Sequence, residues 1–157
     1  MLPRLAGRPI RVQVRSSLGA HAAATSIPGR FILLDSSVLA RDGEFERILI
    51  HELFHFAWVR LSNQARWNWE DVLRQELRAA IPGELGWSAE WRKAKVRDAD
   101  WRKRTPAWRR YCCESFCDSA AWMYCGLTGH DEFTLGKKAR HARRKWFETE
   151  FRGDVLV

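Results

Sequence analysis

The sequence contains no apolar run approaching the roughly 20 residues that cross a bilayer, so a membrane-spanning helix is not expected. Its opening residues, Met1-Leu2-Pro3-Arg4-Leu5-Ala6-Gly7-Arg8, lack the apolar core of a secretory signal, which points to a cytoplasmic protein. A second cysteine pair is also missing. Cys112, Cys113, Cys117 and Cys125 crowd into fourteen residues that read as one helix. A zinc knuckle needs two pairs, bridges along a single helix do not meet disulfide geometry, and a reducing compartment keeps thiols free. The four are read as small buried hydrophobes with some thiols on a helix face. No internal repeat and no linker interrupts the 157 residues, so the chain is expected to be a single domain over 1–157.

What is present is ordinary globular material with an uneven charge. Apolar residues make up 46% and charged residues 29%, enough to build a core without staples. The net charge of +8 is concentrated in two places. Ser88–Arg110 holds nine Lys or Arg against three acids, and Lys137–Lys145 holds six against none, leaving the rest of the chain slightly acidic. Nine tryptophans, several interleaved with arginine between positions 66 and 110, are the other excess. Such interleaving suits either a stacking groove for single-stranded nucleic acid or a tryptophan core with solvated arginine neighbours. An acidic protein partner fits the basic segments equally well.

Residues 9–16 alternate apolar and polar through Ile10, Val12 and Val14, the period of a half-buried strand. A turn-rich stretch, 19–28, precedes a second strand-like run over 30–35. Asp42 and Gly43 open a helical pattern that runs to about Leu61, with Phe45, Ile48, Leu49, Leu53, Phe56 and Ala57 at helical spacing. A second helix is expected from Asn68 to Ile81, stopped by Pro82-Gly83, and a short basic one from Ser88 through Lys95. Residues 98–104 are too charged to assign. Thr105-Pro106 starts a helix to Cys125, because proline in the first turn loses no hydrogen bond, and a last helix covers 135–151. The expected fold is α+β, two or three short strands packed on about five helices.

His51-Glu52-Leu53-Phe54-His55 carries the chemistry. At 100° per residue its two histidines lie about 40° apart on one helix face, so both imidazoles reach one metal ion. Glu52 projects beside them, placed to take a proton from a metal-bound water and hand it to a leaving amine. A catalytic zinc takes three protein ligands and keeps a fourth position open. The metzincin continuation is excluded, because Trp58 and Leu61 stand where glycine and histidine are required. A helical carboxylate is the other common solution, and Glu114 supplies one, with Asp118 one turn on.

His-Glu-x-x-His followed by Glu-x-x-x-Asp resembles the gluzincin clan of zinc metallopeptidases, at a size similar to the minigluzincins, so a minimal zincin-like domain is implied. The resemblance implies Zn²⁺ held by His51, His55 and Glu114, with Asp118 orienting His51. It also implies that substrate backbone adds along the strand before the active-site helix, here Phe31 to Leu34. The second motif is also similar to the zinc helix of IrrE/ImmA-type regulatory metalloproteases. SprT-like proteases, which use a third histidine, make His130 and His141 competing ligands. Tyr111, Tyr124, His130 and His141 are candidate donors to a tetrahedral oxyanion. The expected activity is therefore peptide-bond hydrolysis with Glu52 as general base and then acid, acting on a peptide or protein. The alternative is a basic nucleic-acid- or protein-binding regulator whose zinc site does no catalysis.

Overall fold

The computed structural model describes residues 2–157. Five strands and six α-helices are present among them: β1 (Leu5–Ala6), β2 (Arg11–Arg15), β3 (Ala23–Ser26), β4 (Phe31–Asp35), α1 (Glu44–Arg60), α2 (Asn63–Arg78), α3 (Trp87–Lys93), α4 (Asp98–Lys103), α5 (Pro106–Tyr124), α6 (Lys137–Glu150) and β5 (Val155–Leu156). The architecture is α+β, a small sheet on several helices. None of the helices is long and apolar enough to cross a membrane.

The main sheet has the order β2-β4-β3. β4 runs parallel to β2 and antiparallel to β3, with Val12 opposite Ile32 and Thr25 opposite Ile32 on the other side. The alternation of β4 buries Ile32 and Leu34 completely against the helices. β2 departs from the half-buried strand its alternation predicts. All five of its residues are exposed, including Val12 and Val14, because no helix covers its face. β3 falls within the stretch read as turn, since Ala-Ala-Thr-Ser carries little apolar signal and is held by pairing with β4. A second two-stranded ladder, β1 with β5, joins segments at opposite ends of the sequence that no local pattern relates.

The central packing is α1 against α5. Phe54 from α1 meets Phe116 from α5 and Phe147 from α6, and Phe116 stacks on Phe147 at 5.1 Å between ring centroids. Trp69 of α2 closes this cluster edge-on to Phe116 and donates its indole N–H to the Cys112 carbonyl at 3.0 Å. Helix α2 starts earlier than its Asn68 signal predicts, because Ser62 caps it through the Ala65 amide. Helix α4 forms where charge density obscured the sequence pattern, with Asp100 accepting from the Arg97 amide and the Thr105 hydroxyl. It buries no residue, so no apolar stripe was there to read.

A buried polar network ties the helices to the loop before α3. Arg143, wholly inaccessible on α6, forks onto Glu76 at 2.6 and 2.9 Å and onto Glu84 at 2.7 and 3.0 Å. Tyr111 donates its hydroxyl to Glu84 at 2.6 Å, and Lys93 stands 3.5 Å from the same carboxylate. Charges out of water must be paired in this way to be tolerated. Glu84 lies two residues before Gly86, the residue preceding α3, so the network fixes where α3 begins.

Candidate metal centre

Helix α1 presents His51, Glu52 and His55, and α5 presents Cys113, Glu114, Cys117 and Asp118 to the same space. The ring centroids of His51 and His55 are 5.0 Å apart, as one helical turn predicts. His51 Nδ1 lies 2.7 Å from Asp118 Oδ1, and its Nε2 lies 3.4 Å from Glu114 Oε2. The two nitrogens of one imidazole therefore address the two carboxylates of the Glu-x-x-x-Asp motif separately. Asp118 is almost fully buried, and its other oxygen accepts the Ala89 amide of α3 at 2.9 Å. Glu114 is held from the α3 side, by the Ser88 hydroxyl at 2.7 Å and by Arg92 at 3.2 Å.

The helix expected from Ser88 starts one residue earlier, so Ser88 lies inside α3 and does not cap it. Instead its hydroxyl goes to Glu114, and Gly86 precedes the helix without a side-chain cap. A Cβ on Gly86 would fall 2.3 Å from Asp118 Cγ, so the glycine is what lets the carboxylate sit against the start of α3.

The charges follow from these contacts. Burial acts to lower the His51 pKa, but the Asp118 carboxylate and the hydrogen bonds to Asp118 and Glu114 outweigh it and hold the imidazole well above 6.5. Burial raises Glu114, and the His51 contact overrides it, bringing that carboxyl down to about 2. His51 thus stands between the carboxyl groups of Asp118 and Glu114.

His55 meets sulfur rather than oxygen. Its Nδ1 lies 3.4 Å from Cys113 Sγ, and the Cys113 thiol, hydrogen-bonded to Cys117 and to His55, is drawn down to about 6. Burial pushes the Cys117 thiol up. The ligand atoms of His51, His55 and Cys117 all lie within 4.8 Å of one another, so these three could hold a metal ion. Glu114 lies outside that group, with its Oε2 3.4 Å from His51 Nε2. The expected pair of histidines is assembled, but sulfur stands with them where only carboxylate was expected. The signal was present, since 113, 114, 117 and 118 recur at helical spacing on one face. It was lost because cysteine reads equally well as a core residue.

Two openings reach the site. One, of about 500 Å³, is lined by Ala22, Ala23, His51, Glu52, Trp87 and His130 among others. The other, of about 470 Å³, passes Ala24, Thr25, Glu52, His55, Cys113 and Glu114. Glu52 lines both. The residues of the sheet at these openings belong to β3, not to β4. Phe31–Leu34 is the middle strand, hydrogen-bonded on both sides, so the edge role expected of it is unavailable. The free edge beside the histidines is that of β3.

The candidate oxyanion donors are distributed differently. Tyr111 is fully buried and its hydroxyl is committed to Glu84, and burial together with that carboxylate raises its pKa well above 10. It lines neither opening. Tyr124 stacks on Phe54 within the aromatic cluster. His141 is exposed on α6, outside both openings. His130 does reach the first opening, where its Nε2 meets Glu44 at 2.6 Å, but it does not join the two histidines of α1 as a ligand.

Compared with family models, with curated proteins and with solved structures, the chain matches none.

Proposed function

We propose that the protein is a zinc-dependent metallopeptidase of gluzincin type, in which His51, His55 and Glu114 hold the ion and Glu52 manages the proton. One observation carries the reading: His51 gives Nδ1 to Asp118 and turns Nε2 toward Glu114 beside a cavity that Glu52 lines. A carboxylate on one ring nitrogen fixes the tautomer and leaves the other free for a metal. Two imidazoles and a carboxylate suit zinc, and zinc when bound supplies Lewis acidity that makes water a nucleophile near neutral pH.

Glu52 takes the proton released as the water oxygen bonds to the substrate carbonyl carbon. It returns that proton to the amide nitrogen as the C–N bond breaks, leaving a carboxyl and an amine. The free edge of β3 offers backbone groups to which an extended peptide can add as a further strand. His130, at the first opening, is the remaining candidate for a hydrogen bond to the developing oxyanion.

Purified protein should contain about one equivalent of zinc and lose it in the His51→Ala/His55→Ala double variant. It should also cleave an unstructured protein such as casein in a chelator-sensitive manner. Zinc retained by the double variant, or a zinc-loaded protein that cleaves neither casein nor a mixed peptide library, would overturn the reading.

A second reading, a basic face for single-stranded nucleic acid, is favoured by one feature away from the metal centre. The guanidinium groups of Arg78 and Arg102 lie 5.0 and 5.1 Å from the Trp101 ring, and that of Arg104 lies 5.6 Å from Trp67. Arg78, Trp101 and Arg102 line an open groove of about 620 Å³. Cations beside aromatic faces are the elements of a single-strand groove. Trp69, Trp108 and Trp146, by contrast, are core residues. Oligonucleotide binding that weakens steeply with salt supports this reading, and its absence at low salt removes it.

A further inference from the structure

We infer that Cys117 is a sulfur ligand to the same metal ion that exchanges with water at the fourth position, so that it limits hydrolysis without abolishing it. The inference rests on the reading of His51 and His55 as metal ligands and adds a means of regulating that site.

The geometry supports it in three ways. The donor atoms of His51, His55 and Cys117 already lie within 4.8 Å of one another. Donors on a tetrahedral zinc, with bonds of roughly 2.0–2.3 Å, stand about 3.5 Å apart, so binding requires a closure of the order of 1 Å. Cys117 is fully buried, so its sulfur need not be taken from water to meet the ion. Glu114, in contrast, is engaged by Ser88 and Arg92, and its carboxylate must be shared with them when it ligates. An ion entering between α1 and α5 therefore meets two imidazoles, one constrained carboxylate and one sulfur whose near partner is another thiol, Cys113.

Two imidazoles, a thiolate and a carboxylate fill a tetrahedral shell. A filled shell is the structural kind of zinc site, with no place for water. Ligation displaces the Cys117 proton, which can leave only by way of Cys113, its hydrogen-bonded neighbour at the second opening, and release of the sulfur returns a proton to it and frees the position for water. Sulfur donation also predicts a preference for thiophilic ions such as Cd²⁺ over harder divalent ions.

Cobalt(II) distinguishes the cases, because thiolate ligation gives it an intense near-ultraviolet charge-transfer band that nitrogen and oxygen ligands do not. Metal-free full-length protein titrated with Co²⁺ should develop this band at about one equivalent. Cys117→Ala should abolish the band while still binding Co²⁺. Cys113→Ala and Cys112→Ala/Cys125→Ala should retain it, and His51→Ala/His55→Ala should lose both band and binding. Cobalt bound by wild-type protein without the band would overturn the sulfur ligand and leave the hydrolase reading standing. Persistence of the band in Cys117→Ala would reject Cys117 specifically. Failure of the wild type to bind Co²⁺ or Zn²⁺ at all would overturn both. Because the wild-type spectrum is itself decisive, a variant that fails to fold does not protect the inference.

Discussion

Replacing Gly86 with alanine tests the geometry of the metal centre without touching any residue in it. The added Cβ would meet Asp118 at 2.3 Å from Cγ and at 2.4 and 2.5 Å from its two oxygens. Ordinary van der Waals contact requires more than a further ångström. Asp118 cannot rotate away freely, because its oxygens are held from opposite sides by His51 at 2.7 Å and by the Ala89 amide at 2.9 Å. At least one of these bonds must break, at a carboxylate that is almost fully buried. Overpacking costs about 1–3 kcal/mol, and a buried donor left unpaired costs about 1–3 kcal/mol more, so a total of about 2–6 kcal/mol is expected. For a domain of this size each kcal/mol lowers the melting temperature by about 2–4 °C, giving a drop of roughly 4–24 °C in a calorimetric scan. If Asp118 orients His51, the same substitution weakens zinc by about 10- to 100-fold in a competition titration with a chromophoric chelator. Gly129→Ala, where no atom lies near the new Cβ and no helix begins, serves as the control and should leave zinc affinity unchanged without lowering the melting temperature. An unaltered melting temperature and zinc affinity in Gly86→Ala would refute the placement of Asp118 against α3.

Direct removal in Asp118→Ala should weaken zinc by about 10- to 100-fold without eliminating it, and Glu114→Ala should weaken it further, both measured in the same titration. Glu52→Gln should keep metal and fold but lower casein hydrolysis by about 10²- to 10⁴-fold, since it leaves the metal donors intact and removes the proton carrier. Arg143→Met should destabilise the protein by about 3–5 kcal/mol in urea unfolding, because Glu76 and Glu84 would be left facing each other in the core. The metal-free protein should be most stable between about pH 4.5 and 6.5. Below 4.5 the stabilisation from Glu114, whose folded pKa is depressed to about 2, is progressively lost as the pH falls. Above 6.5 that from His51, whose folded pKa is raised, is lost as the pH rises toward that value. Saturating zinc should reverse the alkaline limb, since the ion competes with the His51 proton, and an unchanged limb would contradict ligation by His51.

The elements that could be read from the sequence are those whose signal is local. Helix α1 carries apolar residues at helical spacing with its histidines one turn apart, and α5 announces its start through Thr105 and Pro106 and follows its pattern to Tyr124. Strand β4 is an apolar run bounded by turns. What could not be read depends on partners distant in sequence. β3 has a strand conformation because β4 offers it hydrogen bonds, and β1 pairs with residues about 150 positions away. α2 starts where Ser62 caps it, although Asn68 with Asp71 offers a similar local signal. Val12 and Val14 alternate as a buried strand does, but alternation specifies only that two faces differ, and here neither is covered.

The same distinction separates the parts of the metal centre. Within one helix, spacing alone relates His51 to His55 and Glu114 to Asp118, so both pairs were evident. The relation between the pairs depends on how α1 packs on α5, where Phe54, Phe116 and Phe147 supply the apolar contact and His51 with Asp118 the buried polar one. Packing of this kind aligns a whole face, so the two thiols that share it with Glu114 and Asp118 arrive together with the carboxylates. It also explains why α3, with no sequence feature tied to the motif, determines so much of the site. Arg143 and Tyr111 anchor Glu84, Glu84 fixes the approach to Gly86, and α3 then delivers the Ala89 amide to Asp118 and Ser88 with Arg92 to Glu114. A buried charge network thus holds the orienting carboxylate and the candidate ligand from behind. Tyr111, a candidate oxyanion donor by its position one turn before Glu114, acts on the site only through this chain of contacts. Substitutions in the network, such as Arg143→Met, should consequently disturb metal affinity as well as stability, even though Arg143 lines neither opening to the site.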